Sequence, residues 1–165
     1  AMHRGYNRKK YLERLAMARE TIPGLAVTTD IIVGFPGETD DDFEATMHVV
    51  EEARFDAAFT FIFSPRPGTR AASMTDDFVP ADVIQERFDR LVEAQNRISL
   101  ERNQSLIGQE IEVLSEGPSR KREDVATTRT RTGKVVSVSG RHPAGYFLRV
   151  RISDAGHHSL TGQAL

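Results

Sequence analysis

Apolar residues recur along the chain in two rhythms, and the change comes near Leu106. Over residues 7–21 the apolar positions Tyr11, Leu12, Leu15, Met17 and Ala18, with Ile22 just beyond, are spaced by three and four, as on one face of a helix. Pro23-Gly24 breaks that pattern. Residues 26–33, AVTTDIIV, then form a β-branched run of the kind a parallel sheet covers on both faces. Gly34-Phe35-Pro36-Gly37 closes it, and Thr39 offers an N-cap hydroxyl to a helix over 40–53. Asp42 stands in the capping-box position, and Asp40, Asp41 and Asp42 fill the first turn, where the helix dipole favours acids. A second buried strand is expected over 57–63, AAFTFIF, a loop over 64–69, and a long helix over 80–106 carrying Val83, Ile84, Phe88, Leu91 and Val92.

Helix, strand, helix, strand, helix is the α/β repeat whose crossovers bury a parallel sheet. Two strands leave apolar edges, so residues 1–105 read as part of a larger barrel or open sheet, and a chain with such edges is expected to pair with a second copy as a non-native dimer. After Gly108 the period becomes two, in Glu110–Leu114, Lys134–Val138 and Tyr146–Ile152, with turn residues between. Short strands so spaced predict a small antiparallel, OB-like barrel over 106–165.

Composition narrows the chemistry more than the fold. The sequence of 165 residues contains no cysteine, which excludes disulfides, thiolate nucleophiles and cysteine-ligated clusters held by this chain itself. No run approaches the length of a membrane span, and residues 1–11 lack the apolar stretch of a signal peptide, so a cytoplasmic protein without a membrane partner is expected. A net charge of −2 hides an asymmetry: residues 1–105 carry −5 and residues 106–165 carry +3. Between 117 and 151 nine Lys and Arg face only Glu123 and Asp124, which suggests a polyanionic partner, although a solvated basic surface would give the same count.

Ligands of parallel α/β folds meet the carboxyl ends of the strands. Two loops qualify. In the first, Gly34 and Gly37 let the backbone approach a flat ligand, while Phe35 and Pro36 offer apolar surface; a tight, capped βα turn accounts for the same residues. Glu38 either acts at the ligand mouth or supports the helix N-terminus. On this reading Gly34 can be replaced by Val with the fold nearly intact. In the second loop Arg66, between two prolines, is held extended for a carboxylate or phosphate, or for solvent. Asp30 is a carboxylate inside a run expected to be buried; it needs a partner, such as Arg4 or Arg66, in a polar barrel layer or a structural ion pair. His3, His48, His142, His157 and His158 have no ligand spacing, and adjacent His157 and His158 should diverge on a strand. Alternation puts Arg129 and Arg131 on one strand face near Lys134, a plausible phosphate track.

Three segments, Met2-His3-Arg4-Gly5-Tyr6-Asn7-Arg8, Thr29 to Thr39, and Phe61 to Thr69, resemble consecutive blocks of the radical S-adenosylmethionine methylthiotransferases, in order and spacing. The basic β segment around Arg129 and Lys134 resembles that family's RNA-binding TRAM domain. The resemblance implies the last part of an incomplete radical SAM barrel (residues 1–105) followed by TRAM (106–165). It also implies a transferase that uses S-adenosylmethionine and two [4Fe–4S] clusters to add a 2-methylthio group to N6-isopentenyladenosine beside the tRNA anticodon. Relatives acting on threonylcarbamoyl-adenosine or a ribosomal protein, and a plain RNA-binding module, are the alternatives. The family's cluster cysteines have no counterpart here, so this chain alone is expected to be inactive, with no catalytic or metal-ligating residue of its own. Carried over position by position, the cofactor would be bordered by Arg4, Asp30, Gly34, Phe35, Pro36, Gly37, Glu38, Ser64, Arg66 and Gly68. RNA from the anticodon arm would meet Arg120, Lys121, Arg122, Arg129, Arg131 and Lys134. Asn7 stands where the family commonly has Thr, and Gly133 where it commonly has Asn.

Overall fold

A computed structural model describes residues 5–120 and 122–165. Arg4 and Lys121, both expected at binding sites, lie outside the described residues. The chain divides into two compact units, Ala1–Gln95 and Asn96–Leu165.

In the first unit α1 (Arg8–Thr21) begins at Asn7, whose side chain accepts the Lys10 N–H at 3.0 Å. Asn serves here as Thr would, because either side-chain oxygen can take an orphan N–H of the first turn. β1 (Thr28–Val33), α2 (Asp40–Ala53) and β2 (Ala57–Ile62) form one βαβ unit, the strands parallel with Thr28 opposite Ala57 and Val33 opposite Ile62. The Thr39–Asp42 capping box is closed in both directions. Val33, Phe43, Val50, Ala53, Phe55 and Leu91 are the most deeply buried apolar residues of this unit; a large side chain such as Phe43 or Phe55 gains about 1.5–3 kcal/mol by this burial. The long helix α3 (Ala81–Gln104) has its N-terminal part in this unit.

The strands are not covered on both faces. Asp30 and Ile32 share a face with Phe59 and Phe61 across the ladder, and this face is open: Phe59 is 69% exposed and Phe61 50%. Asp30 is correspondingly exposed rather than buried, and has no ion pair with Arg66. The helices pack on the opposite face, that of Ile31 and Val33, and a two-stranded sheet has nothing else with which to cover the first.

The second unit is a closed barrel of β3 (Glu110–Pro118), β4 (Val125–Thr130), β5 (Val135–Ser139), β6 (Phe147–Ala155) and β7 (Ser159–Ala164), in the order β3-β4-β5-β7-β6. Its pairs are antiparallel except β5 with β7, which are parallel. An all-antiparallel ring is impossible with an odd number of strands, since direction must alternate all the way round; one parallel junction is the geometric cost of closing at five. Val113, Val136, Val138, Val150, Ile152 and Leu160 fill the interior. Gly133 turns the β4–β5 hairpin at φ +84°, a left-handed conformation open to Gly and, less freely, to Asn.

Candidate functional site

The loop after β1 is fixed by a buried charge cluster. Glu38 reaches back so that its Oε2 accepts the Gly34 N–H at 2.8 Å, and the same oxygen accepts Arg87 Nη1 at 3.0 Å. Nη1 also donates to the Glu38 carbonyl, and Nη2 to Asp40. The Arg87 side chain is only 6% exposed and lies over the Phe43 ring. Burial alone would pull its pKa down, but the hydrogen bonds to Asp40 and Glu38 outweigh that and hold it above the ordinary arginine value. Glu38 is thus engaged in shaping the loop. Sequence reasoning missed Arg87, although a signal existed: it stands three residues after Ile84 and four before Leu91, a charge within the apolar face of α3.

Gly34 is required twice over. Its φ is +78°, and a Cβ there would stand 2.8 Å from Ile84 Cδ1, so the expected tolerance of Val is excluded by sterics. Gly37 donates its N–H to the Asp77 carbonyl at 2.8 Å, and the Phe35 ring packs edge-on against Phe63, 5.4 Å between centroids.

These loop residues border a cavity of about 880 Å³, whose walls include Asp30, Ile32, Phe35, Pro36, Glu38 and Phe61. That is the size range of small-molecule sites, and apolar walls with a few convergent polar groups are their usual character. Asp30, without an ion-pair partner among the described residues, is an available carboxylate in this wall. An adenosine-bearing cation such as S-adenosylmethionine fits such walls. Ser64, Arg66 and Gly68 are exposed on the β2 loop and are not among the residues the structure brings to this cavity. An iron–sulfur cluster does not fit the residues present: the sequence has no cysteine, and the described residues contain no group of three potential ligands.

On the barrel, the basic residues separate into different surroundings. Arg129 and Arg131 both face outward, but each meets a glutamate of β3: Arg129 Nε donates to Glu116 at 2.8 Å, and Arg131 approaches Glu112 at 3.6 Å. Arg149 and Arg151 share Glu110. The hydrogen bond from Arg129 lowers the Glu116 pKa, and that from Arg151 lowers the Glu110 pKa, so both remain ionised at neutral pH. Arg122 is paired with Asp124 and Arg120 is exposed. Lys134 is half-buried and donates to Asn103 Oδ1 at 2.9 Å, which removes it from the outward arginine track. Asn103, another missed residue, is buried and also bonds the Gly156 and His157 carbonyls. His157 and His158 lie in the turn before β7, and their rings do not diverge but stand 4.1 Å apart.

No helix among the described residues is long and apolar enough to cross a membrane. Residues 1–50 match the radical SAM superfamily and residues 104–165 the TRAM domain. Three tRNA-2-methylthio-N(6)-dimethylallyladenosine synthases are similar over nearly the whole chain. The Moorella thermoacetica protein is 50% identical over 98% of the chain, the Tropheryma whipplei protein 48% over 98%, and that of Clostridium botulinum strain Langeland 47% over 99%. The chain spans about a third of the length of these relatives, between 35% and 36%. With a radical SAM segment followed by a TRAM domain, and identity of 47–50% over nearly its whole length, the chain is similar to about a third of each of these synthases.

Proposed function

We infer that this chain works within a longer tRNA-modifying transferase that adds a 2-methylthio group to N6-isopentenyladenosine beside the anticodon. The observation that carries this reading is the 47–50% identity, over 98–99% of the chain, to relatives named for that product. Residues 1–105 would form part of the radical SAM barrel, and the open face of Asp30, Ile32, Phe59 and Phe61 part of its interior. Residues 106–165 would hold the tRNA anticodon arm, with Arg120, Lys121, Arg122, Arg129 and Arg131 as phosphate contacts. S-adenosylmethionine, when bound, supplies the radical chemistry and the methyl group. Toward it this chain would contribute Ile32, Phe35, Pro36 and Gly37 as walls and Asp30 as a carboxylate for its cationic half, while Gly34 and Glu38 keep the loop in shape. Arg4, Ser64, Arg66 and Gly68 are assigned to the same site on resemblance alone. The two [4Fe–4S] clusters would be held by cysteines outside this chain. Such an enzyme works in the cytoplasm, where its tRNA is.

Nucleoside mass spectrometry tests the reading. Whole protein supplied to a host lacking the modification should add the mass of a methylthio group to isopentenyladenosine in tRNA. Modification of threonylcarbamoyl-adenosine or of a ribosomal protein instead would reassign the substrate. The exposed apolar face of β1 and β2 further supports pairing of this chain with a second copy. Light scattering over a dilution series should show a dimer dissociating, and a monomer at every concentration refutes the pairing.

A further inference from the structure

The outward face of β3, β4 and β6 bears a feature that charge alone does not explain. Leu114 stands opposite Arg129 on one side and Phe147 on the other, so one row across three strands reads guanidinium, aliphatic, aromatic. Phe147 is 67% exposed in this row. In the next row Glu112 stands opposite Arg149 and near Arg131, and beyond it Glu110 lies opposite Arg151. Four arginines (Arg129, Arg131, Arg149, Arg151) and three glutamates (Glu110, Glu112, Glu116) therefore share this face with the exposed Phe147 ring and the leucine opposite it.

We propose that this face is a stacking platform for unpaired RNA, with a base laid on Phe147 against Leu114 and the adjoining phosphates taken by Arg131 and Arg149. The proposal rests on the RNA-binding reading of the barrel given above and deepens it. Two observations select this occupant. The apolar row of Leu114 and Phe147 is two side chains wide, far too small to supply the roughly 800 Å² per partner that a stable protein interface buries, yet wide enough for a single base to lie on. The charges around it carry a surplus of guanidinium, which is planar, stacks on bases and binds phosphate oxygens in pairs. A regular duplex offers no base face to such a ring, whereas a single strand does. The guanidinium–glutamate contacts are exposed and exchangeable, and Arg131, the arginine with the longest contact to a glutamate, is 91% exposed. A phosphate reaches it without uncovering a buried charge.

The test uses the full chain and two fluorescein-labelled probes, a mixed-sequence single-stranded RNA of about 12 nucleotides, within the site sizes of OB folds, and a blunt RNA duplex of the same length. Anisotropy is read across a salt series. The wild type should prefer the single strand. Phe147→Ala and Phe147→Leu should each weaken single-strand binding roughly tenfold, with the slope of log K against log salt unchanged, and Phe147→Trp should restore it. Arg131→Ala with Arg149→Ala should instead flatten the slope, by about 0.7 for each phosphate no longer neutralised. Circular dichroism identical to the wild type confirms that the Leu and Trp variants fold. If Phe147→Leu binds the single strand as tightly as wild type, or if the duplex is preferred, the platform is refuted while RNA binding by the barrel stands. If the wild type binds neither probe at low salt, the RNA-binding reading fails and the platform with it.

Discussion

Replacing Arg87 by Met should cost the first unit about 3–5 kcal/mol, the range found when one partner of a buried ion pair is removed. The structure says which contact bears this cost. Asp40 is 92% exposed in its side chain, so its bridge is solvent-screened and contributes at most about 1 kcal/mol. Glu38 is only 10% exposed, and without Arg87 its carboxylate retains the Gly34 N–H but has no counter-charge. Methionine keeps most of the volume over Phe43 and so separates the charge effect from a cavity. Glu38→Gln is milder, about 1–2 kcal/mol, because an amide oxygen can still accept from Gly34 and Arg87. The double variant Arg87→Met with Glu38→Gln should then be more stable than Arg87→Met alone, since no unpaired buried charge remains. Urea titration followed at 222 nm reads mainly the helices, α1, α2 and α3, rather than the barrel. A loss under about 1 kcal/mol for Arg87→Met, or a double variant that is simply the sum of the two, would show that water reaches Glu38 and that the cluster does not set the loop.

Gly34→Ala should destabilise the first unit by more than Gly37→Ala. Both residues have positive φ, but only at Gly34 does a Cβ meet Ile84; thermal unfolding of the two variants gives the comparison, and equal losses would show that backbone conformation alone matters. Hydrogen bonds from the Thr39 backbone and hydroxyl hold the Asp42 carboxyl below its usual range. A depressed folded pKa contributes stability above the unfolded value that is lost as pH falls through the folded one, so Asp42→Asn should lessen the loss of stability below about pH 4. Stability of wild type and variant measured from pH 6 to 2 checks the sign. Asn103→Ala removes hydrogen bonds to Gly156, His157 and Lys134 and should lower barrel stability by about 1–3 kcal/mol, with faster amide exchange in the β6–β7 turn; unchanged exchange there would refute that role.

The α/β order was legible because its signals are local. The Thr39–Asp42 cap, the Pro23-Gly24 stop and the three-four spacing of helix residues each lie within a few positions of the element they define. The barrel's three strongest strands were legible through alternation. β4 and β7 were harder, since their buried residues include Ala126, Thr128, Thr130 and Gly162, which apolar periodicity does not count. Asp30 misled for a different reason. A β-branched run reports that a strand is a good strand, not that a second layer exists to cover it, and here the layer on its side is absent among the described residues. Arg87 and Asn103 were hard to place as site builders, even with the charge of Arg87 standing in an apolar helix face, because their partners lie 49 and 53 positions away, at Glu38 and in the turn before β7.

The basic excess between residues 117 and 151 shows how a linear count and a folded surface diverge. In sequence its arginines neighbour Glu123 and Asp124, and Arg122 does pair with Asp124, but the barrel sets Arg129, Arg131, Arg149 and Arg151 beside Glu110, Glu112 and Glu116 of β3, outside that window. A sheet pairs residues by register, so the charge that matters to an arginine is the one on the facing strand. This makes the outward surface a lattice of nearly balanced charge instead of a bare cationic patch. Such a lattice attracts polyanions only modestly from a distance, because opposed charges cancel beyond a Debye length of about 8–10 Å. Close in, however, a phosphate can exchange with a glutamate at an exposed guanidinium while the same pairing holds the side chain in position. Discrimination on this face then depends on what accompanies the phosphate, and the uncharged element at its centre, Phe147 beside Leu114, is the one that can distinguish an unpaired base from a buried one.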